Sequence, residues 1–394
     1  MHHQLPFVAR ANRFLSRAWA EGWWPEPTLD GAALIAEACR REGVDTIPGK
    51  HWQEPFHLLL RDLVDEADLN PLGRQVANGQ LVTLLRMRIR AEQLLRSHSE
   101  ISERPITAPV LIVGHMRSGT TRLHRLLASD PRFAHTRLFE SLEPVPRRGR
   151  LLRAAAVQGF LHRANPALAA IHPSGPLQAE EEFGLHSLSL HGAQLEVQWH
   201  LPRFAAYARR RDLTVPYREF AALLRITGWS RRESAEKPWL LKSPQFTGEL
   251  GAVLRQFPDA RLLCLTRDPV AVVGSSASLV WNQRRLHSDS ADPRQVGAEW
   301  LEETLRREAH LREVVAEHPQ VQCLQVGFDE VSADWRAAVQ RIYAYLGLPL
   351  TEGVIRRMNG TMARPARHQG HQYRLEDFGL TANGVTEALA AVRS

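Results

Sequence analysis

Eight residues give the first chemical signal: Gly114-His115-Met116-Arg117-Ser118-Gly119-Thr120-Thr121, set directly behind the apolar run Val110-Leu111-Ile112-Val113. The two glycines have the G-x-x-x-x-G spacing of a phosphate-binding loop between a strand and a helix. In such a loop, successive backbone N–H groups and the helix N-terminus point at an anion. The nucleotide-hydrolysing version follows its second glycine with a lysine for the β- and γ-phosphates, then a hydroxyl for Mg²⁺. Here the lysine position is Thr120. The loop's cation is Arg117, and its hydroxyls are Ser118, Thr120 and Thr121. This composition suits a phosphate that needs no metal. Taken alone, the spacing also describes an ordinary glycine-rich βα turn.

Other polar residues add to the pattern. In LTRDPVAVVGSS, Arg267 follows an apolar run and Ser275 lies further on, at the next helix. An arginine and a hydroxyl so placed can hold a second phosphate. Asp268 lies between an arginine and a proline, so no apolar strand clearly ends in a magnesium-holding aspartate. Two phosphate sites without a metal suit a nucleotide phosphorylated at both 3′ and 5′. Lys242, in WLLKSP, follows another apolar run. Lysine occurs only at positions 50, 237 and 242. A compact ammonium there can neutralise a departing oxygen. Glu140, in RLFESLEPVP, is the candidate general base, with Glu143 behind it. A carboxylate paired with one of the many arginines is the plainer reading of Glu140.

Histidines are a second source of bases. His115 lies in the loop and can face donor or acceptor, whereas His124 reads as helix packing. The acidic QAEEEFGLH contributes Glu182 and His186 as candidate acceptor contacts, or simply a solvated helix start. In the tail, Arg367, His368, His371 and Tyr373 form a basic, aromatic cluster suited to closing over a phosphate or a base.

The elements that must position these groups are also legible. Residues 1 to about 105 read as helical: EPFHLLLRDLVDEADL and GQLVTLLRMRIRAEQLLRSH repeat apolar residues at spacings of three and four. SERPITAP is a linker. From 110 onward, apolar strands at VLIV, WLLK, ARLLCLT and VQCLQV alternate with helices, which predicts a parallel, doubly wound α/β sheet whose ligands bind beyond the strand ends. The boundaries follow: 1–105 as a helical region, 106–394 as the phosphate-binding domain. Residues 147–173 read as an amphipathic helix pair, either ordinary packing or a lid over an apolar acceptor.

Composition narrows the class. With 394 residues and 44% hydrophobic residues, the chain can build a sizeable core. The net charge is +7, but arginines are spread along the chain, which argues for an anionic small molecule over nucleic acid. Three distant cysteines suggest neither a disulfide framework nor zinc. No apolar stretch matches a signal peptide or a membrane span, and a reducing, cytoplasmic setting is expected.

The segments PVLIVGHMRSGTTRLHRLLASDP, FESLEPVP, WLLKSP, LLCLTRDPVAVVGSSASL and RIYAYLGLPL, with the tail RHQGHQYRLEDFGL, together resemble the PAPS-dependent sulfotransferase superfamily. The likeness is greatest to its bacterial branch, with tyrosylprotein sulfotransferases more distant, and it spans roughly 105 to 380. It implies a P-loop α/β fold with 3′-phosphoadenosine 5′-phosphosulfate (PAPS) as donor and the 3′,5′-bisphosphate PAP as product. It places Arg117, Ser118, Gly119, Thr120 and Thr121 on the 5′-phosphosulfate and Arg267 and Ser275 on the 3′-phosphate. Glu140 matches the family's base, and Lys242 its leaving-oxygen cation. Met116 departs from the proline or glycine common before the loop arginine. No metal is expected. Ten tryptophans and the apolar middle region incline the acceptor towards a hydrophobic small-molecule hydroxyl, less readily an amine. The alternatives are a metal-dependent small-molecule P-loop kinase and an inactive nucleotide-binding partner module. Neither oligomeric state nor acceptor identity is readable.

Overall fold

The computed structural model describes residues 5–171, 173–363 and 372–393. Four short strands form one parallel sheet: β1 (Val110–Val113), β2 (Leu240–Lys242), β3 (Arg261–Thr266) and β4 (Cys323–Gly327), in the order β2-β1-β3-β4. The chain starts at β1 and winds first to one side, then to the other, so the sheet is the expected doubly wound α/β fold. Register aligns Ile112 with Lys242, Val113 with Cys264 and Thr266 with Gly327. The C-terminal strand ends therefore lie side by side, and the loop, Lys242, Arg267 and Phe328 all sit at or just past them.

The strands are apolar throughout because both faces are covered. Leu111, Val113, Leu241, Leu262 and Cys264 enter one hydrophobic core, while Val110, Ile112, Leu240, Leu263 and Leu265 enter the opposite one. That is the period-two alternation of a strand, with each face worth about 1.5–3 kcal/mol per fully buried large side chain. The first core also takes in Phe56, Leu59 and Leu63 of helix Gln53–Asp65 and Leu81, Leu85 and Ile89 of helix Pro71–Ser97. The N-terminal helices thus share one continuous hydrophobic core with the sheet. Asn70 caps the longer helix by accepting from Gly73 N at 2.8 Å, with Pro71 in its first turn.

Residues 147–173 form the expected pair, Arg150–Ala164 and Pro166–Ile171. One sequence expectation needs correcting. Cys264 and Cys323 lie on neighbouring strands with Cα atoms 6.5 Å apart and are joined as a disulfide, while Cys39 is a buried free thiol. Neighbouring parallel strands bring together residues 59 apart in sequence, which spacing alone does not reveal.

Candidate active site

β1 ends at Val113, and the chain turns under itself before the helix Thr120–Leu127 begins. Gly119 makes that turn. Its φ is +92°, and an added Cβ would lie 2.5 Å from the Phe328 ring, so neither the conformation nor the space suits another residue. Ser118 is buried and ties the loop to itself, its Oγ donating to the His115 carbonyl at 2.7 Å. Arg117 also holds a left-handed φ of +70°, which costs a non-glycine residue energy and points to a backbone held by its surroundings.

Those surroundings are cationic. The Arg267 guanidinium lies 4.1 Å above the Phe328 ring and donates to the Arg117 carbonyl at 2.7 Å. Arg117 Nε donates to Ser275 Oγ at 3.0 Å, and its NH1 to the Ile171 carbonyl at 2.9 Å. Burial, and then the neighbouring Arg267, push the Arg117 pKa below its ordinary value, while Glu181 and Tyr373 act the other way. Two like charges this close, one of them largely buried, are stabilised by an anion between them. Tyr373 completes this side. Its hydroxyl donates to the Ala271 carbonyl at 3.2 Å, and its ring fills the space beside Gly274, where a Cβ would fall 2.4 Å from it. Asp268 is occupied in capping helix Pro269–His287, accepting from Val270 N and Ala271 N, with Pro269 at the first helical position.

The loop's other side holds Lys242, the last residue of β2 and fully buried. Its ammonium donates to Thr121 Oγ1 at 3.1 Å and pairs with Glu181. Glu182, also fully buried, accepts from the Lys242 backbone amide at 2.8 Å. Burial drives its carboxyl pKa up to about 8, against the pull of that amide and of Lys242. Thr136, Ala179 and the short bridge between Arg137 and Ala179 carry this acidic segment to the strand ends.

The structure therefore brings together Arg117, Ser118, Gly119, Thr120, Thr121, Lys242, Arg267, Ser275 and Tyr373. It separates others from them. Glu140 is fully buried, caps its own short helix through Arg137 N at 3.0 Å, and pairs with Arg231 at 3.4 Å, the plainer reading of its carboxylate. Glu143 is held by Arg153. His115 stays beside the site, lining a cavity with Ser118 and Arg267, but is engaged by Glu308 at 2.9 Å, and Glu308 is also paired with Arg393 of the C-terminal helix. His186 is boxed by Phe220, Tyr217 and Phe246 and is driven by burial to a pKa of about 3, so it packs the core instead of lining a pocket. Glu182 clamps a strand amide and does not face an acceptor. Arg367, with His368 and His371, lies outside the described residues.

One residue was missed. Glu181, half-exposed beside Lys242 and within electrostatic reach of Arg117, belongs to this site. The acidic run Glu180-Glu181-Glu182 was its signal. In it, Glu180 pairs with Arg125, Glu181 with Lys242, and Glu182 with a backbone amide.

Comparison with known proteins identifies the family and the fold. The model of the sulfotransferase family matches residues 109–352. The chain belongs to the sulfotransferase family, and its class is that of a sulfotransferase. Among curated relatives, the omega-hydroxy-beta-dihydromenaquinone-9 sulfotransferase Stf3 of Mycobacterium bovis and of Mycobacterium tuberculosis is 26% identical over 284 residues, covering 68% of this chain and 70% of the relative. The crystal structure of sulfotransferase STF1 from Mycobacterium tuberculosis superposes with a TM-score of 0.79 at 26% identity, over 93% of this chain and all of that one. Sulfotransferase STF9 from Mycobacterium avium shares the fold, with a TM-score of 0.80 at 21% identity, over 92% of this chain and 96% of that one.

Proposed function

We propose that the chain moves a sulfuryl group from PAPS to the hydroxyl of a hydrophobic small molecule, releasing PAP. One observation carries the reading: around a single loop, the arginine pair Arg117 and Arg267 with Ser275 lies on one side, and the buried Lys242 with Thr121 and Glu181 on the other. The first group suits a nucleotide with two separate phosphates. The loop N–H groups and Arg117 take the 5′-phosphosulfate, Arg267 and Ser275 the 3′-phosphate, and Tyr373 covers that end. The second group suits transfer. The acceptor oxygen attacks sulfur in line, and the bond from sulfur to the 5′-phosphate oxygen breaks, leaving its electron pair on PAP. Lys242 neutralises that oxygen, and the acceptor proton passes to a carboxylate. We assign that carboxylate to Glu181, because it shares the site with Lys242. Glu140, the family-matched position, is turned to its own helix start through Arg137 N and to Arg231, with no hydrogen bond to Lys242 or Thr121 among the described residues. The hydroxyl acceptor is supported by the relative's name, which gives an omega-hydroxy-beta-dihydromenaquinone-9 as what that protein acts on.

Titration calorimetry with adenosine 3′,5′-bisphosphate, without magnesium, tests the donor. Tight binding, with weaker binding of adenosine 5′-phosphate, is expected. No binding without magnesium would favour a kinase, and binding of bisphosphate without transfer from labelled PAPS to any alcohol would favour a partner module.

A further inference from the structure

Helix Pro6–Ala20 buries Val8, Asn12, Leu15 and Ala18 and turns Arg10, Arg13, Phe14 and Arg17 outward. Those four positions have the i, i+3, i+4, i+7 spacing of one helical face. The helix contains no acidic residue. Just beyond its end stand Trp23 and Trp24, 56% and 51% exposed, and Phe14 on the stripe is 50% exposed. Phe14 meets Trp24 edge to face at 5.4 Å, and the Arg17 guanidinium lies 5.4 Å over the Trp23 ring. The cluster is thus built, with its rings held in place, yet it is open to solvent. Leaving three large aromatic rings in water forgoes their burial and calls for a partner.

A neighbouring helix repeats the chemistry. Phe7 and Phe160 join Pro6–Ala20 to Arg150–Ala164 at 5.7 Å. That second helix exposes Leu151, Leu152 (76%) and Val157, with Arg148 and Arg163 exposed at its two ends. It runs on through Asn165 into Pro166–Ile171, whose last carbonyl accepts from Arg117. One stretch of chain therefore connects this surface to the phosphate-binding loop.

We infer that the outer face of helix Pro6–Ala20, with Trp23 and Trp24, docks on the surface of an anionic lipid bilayer. Arginines meet anionic headgroups, and Trp and Phe rings suit the boundary between headgroups and acyl chains. The helix lies in the plane of the interface. Among the described residues, none is in a helix long and apolar enough to cross a membrane. A protein partner or a second copy would cover the rings equally well, but three outward arginines, Arg10, Arg13 and Arg17, against one exposed carboxylate at the helix end, Glu21, favour a surface of uniform negative charge. Docking there would bring an amphiphilic acceptor to the site through the helix pair.

The test is sedimentation of the full chain with vesicles of phosphatidylglycerol and phosphatidylcholine in equal parts, and with phosphatidylcholine vesicles alone. The wild-type chain should pellet with the first, release at high salt, and show a blue shift of tryptophan emission. R13Q/R17Q should lower partitioning about 25-fold, about fivefold per arginine, the equivalent of about 1 kcal/mol each. W23S/W24S should lower it several-fold and abolish most of the blue shift, while circular dichroism melting stays unchanged. Failure of the wild-type chain to pellet with anionic vesicles overturns the inference, as does pelleting that neither variant weakens. A concentration-dependent dimer in analytical ultracentrifugation, dissolved by W23S/W24S and unaccompanied by vesicle binding, would assign the face to a second copy.

Discussion

Two charged clusters lie in this molecule, built from the same residue types to opposite ends. At the loop, Glu181 pairs with Lys242 and lies within electrostatic reach of Arg117, while Arg267 donates to the Arg117 carbonyl. Behind Gln245, Arg209, Arg306 and Arg307 surround Glu303 at 3.4, 2.7 and 2.6 Å, while Glu249 pairs with His191 at 3.0 Å and accepts from Tyr217 at 2.7 Å. The arginines register the difference. Burial and Arg267 lower the Arg117 pKa, whereas for Arg306 burial is outweighed by Glu303 and the pKa rises. The second cluster sets its three arginines among the carboxylates Glu303, Glu249 and the buried Glu196. The first keeps an excess of positive charge at the strand ends, and that unspent charge marks a candidate ligand site.

The largest effect should come from cutting the first cluster at its reactive end. Glu181→Gln should lower kcat by roughly 10²–10⁴, the range for loss of a general base, with PAP affinity little changed. Glu140→Gln should leave kcat within severalfold and lower the melting temperature instead, because Arg231 loses its buried partner. The reverse pattern in steady-state kinetics would return the base to Glu140. Lys242→Ala should lower kcat and kcat/KM together by about 10²–10³. Lys242→Arg should not restore them, since a planar guanidinium does not replace a compact ammonium in a fully buried slot.

Next in size is binding. Arg267→Ala should weaken the 3′,5′-bisphosphate by about 1.5–3 kcal/mol, the value of a charge-assisted contact, while adenosine 5′-phosphate loses much less. Calorimetry on both ligands decides it. Equal losses would show that Arg267 does not meet the 3′-phosphate and that the excess charge is used elsewhere.

The two clusters also differ in how far the sequence reveals them. The loop, Lys242, Arg267 and Ser275 follow or flank apolar runs, so reading the strands locates them, and the α/β alternation places them at one sheet edge. Glu181 did not stand out because it sits in the irregular middle region, where no periodicity fixes which of three adjacent glutamates faces inward. Contacts from three different elements decide that: Arg125, Lys242 through both its ammonium and its backbone amide, and the Ser141 hydroxyl, which donates to the Glu181 carbonyl. Glu140 shows the same limit of local reading. It is the family-matched position, and its partner Arg231 lies 91 residues away, beyond any local signal. His186 was likewise a plausible acceptor contact until Phe220, Tyr217 and Phe246, all distant in sequence, closed around it.

The smallest effects should be on stability, and pH separates their sources. Burial lowers His186 to a pKa of about 3, well under the ordinary histidine value of about 6.5. A neutral buried histidine contributes stability that is complete above about 6.5 and is lost progressively as pH falls towards the folded value, because the unfolded chain takes up the proton first. For Glu303, burial is outweighed by Arg307 and Arg306, which hold its carboxyl at about 2. Its contribution is complete above the ordinary carboxylate value of about 4.3 and is lost only below it. Melting temperature followed from pH 7.5 down to 3.5 should therefore fall in two arms, the first starting near 6.5 and the second near 4.3. His186→Phe, a ring among rings, should remove its share of the upper arm, to which the buried His124, His135 and His287 also contribute, and spare the lower. Glu303→Gln should reduce the lower arm, which Glu219, Glu249 and Glu308 share, and lower stability at neutral pH, since it leaves Arg307 buried without its carboxylate, while kcat stays near wild type. If Glu303→Gln instead removed activity without touching the melting curve, the second cluster would be part of the catalytic site, and the contrast between spent and unspent charge would fail.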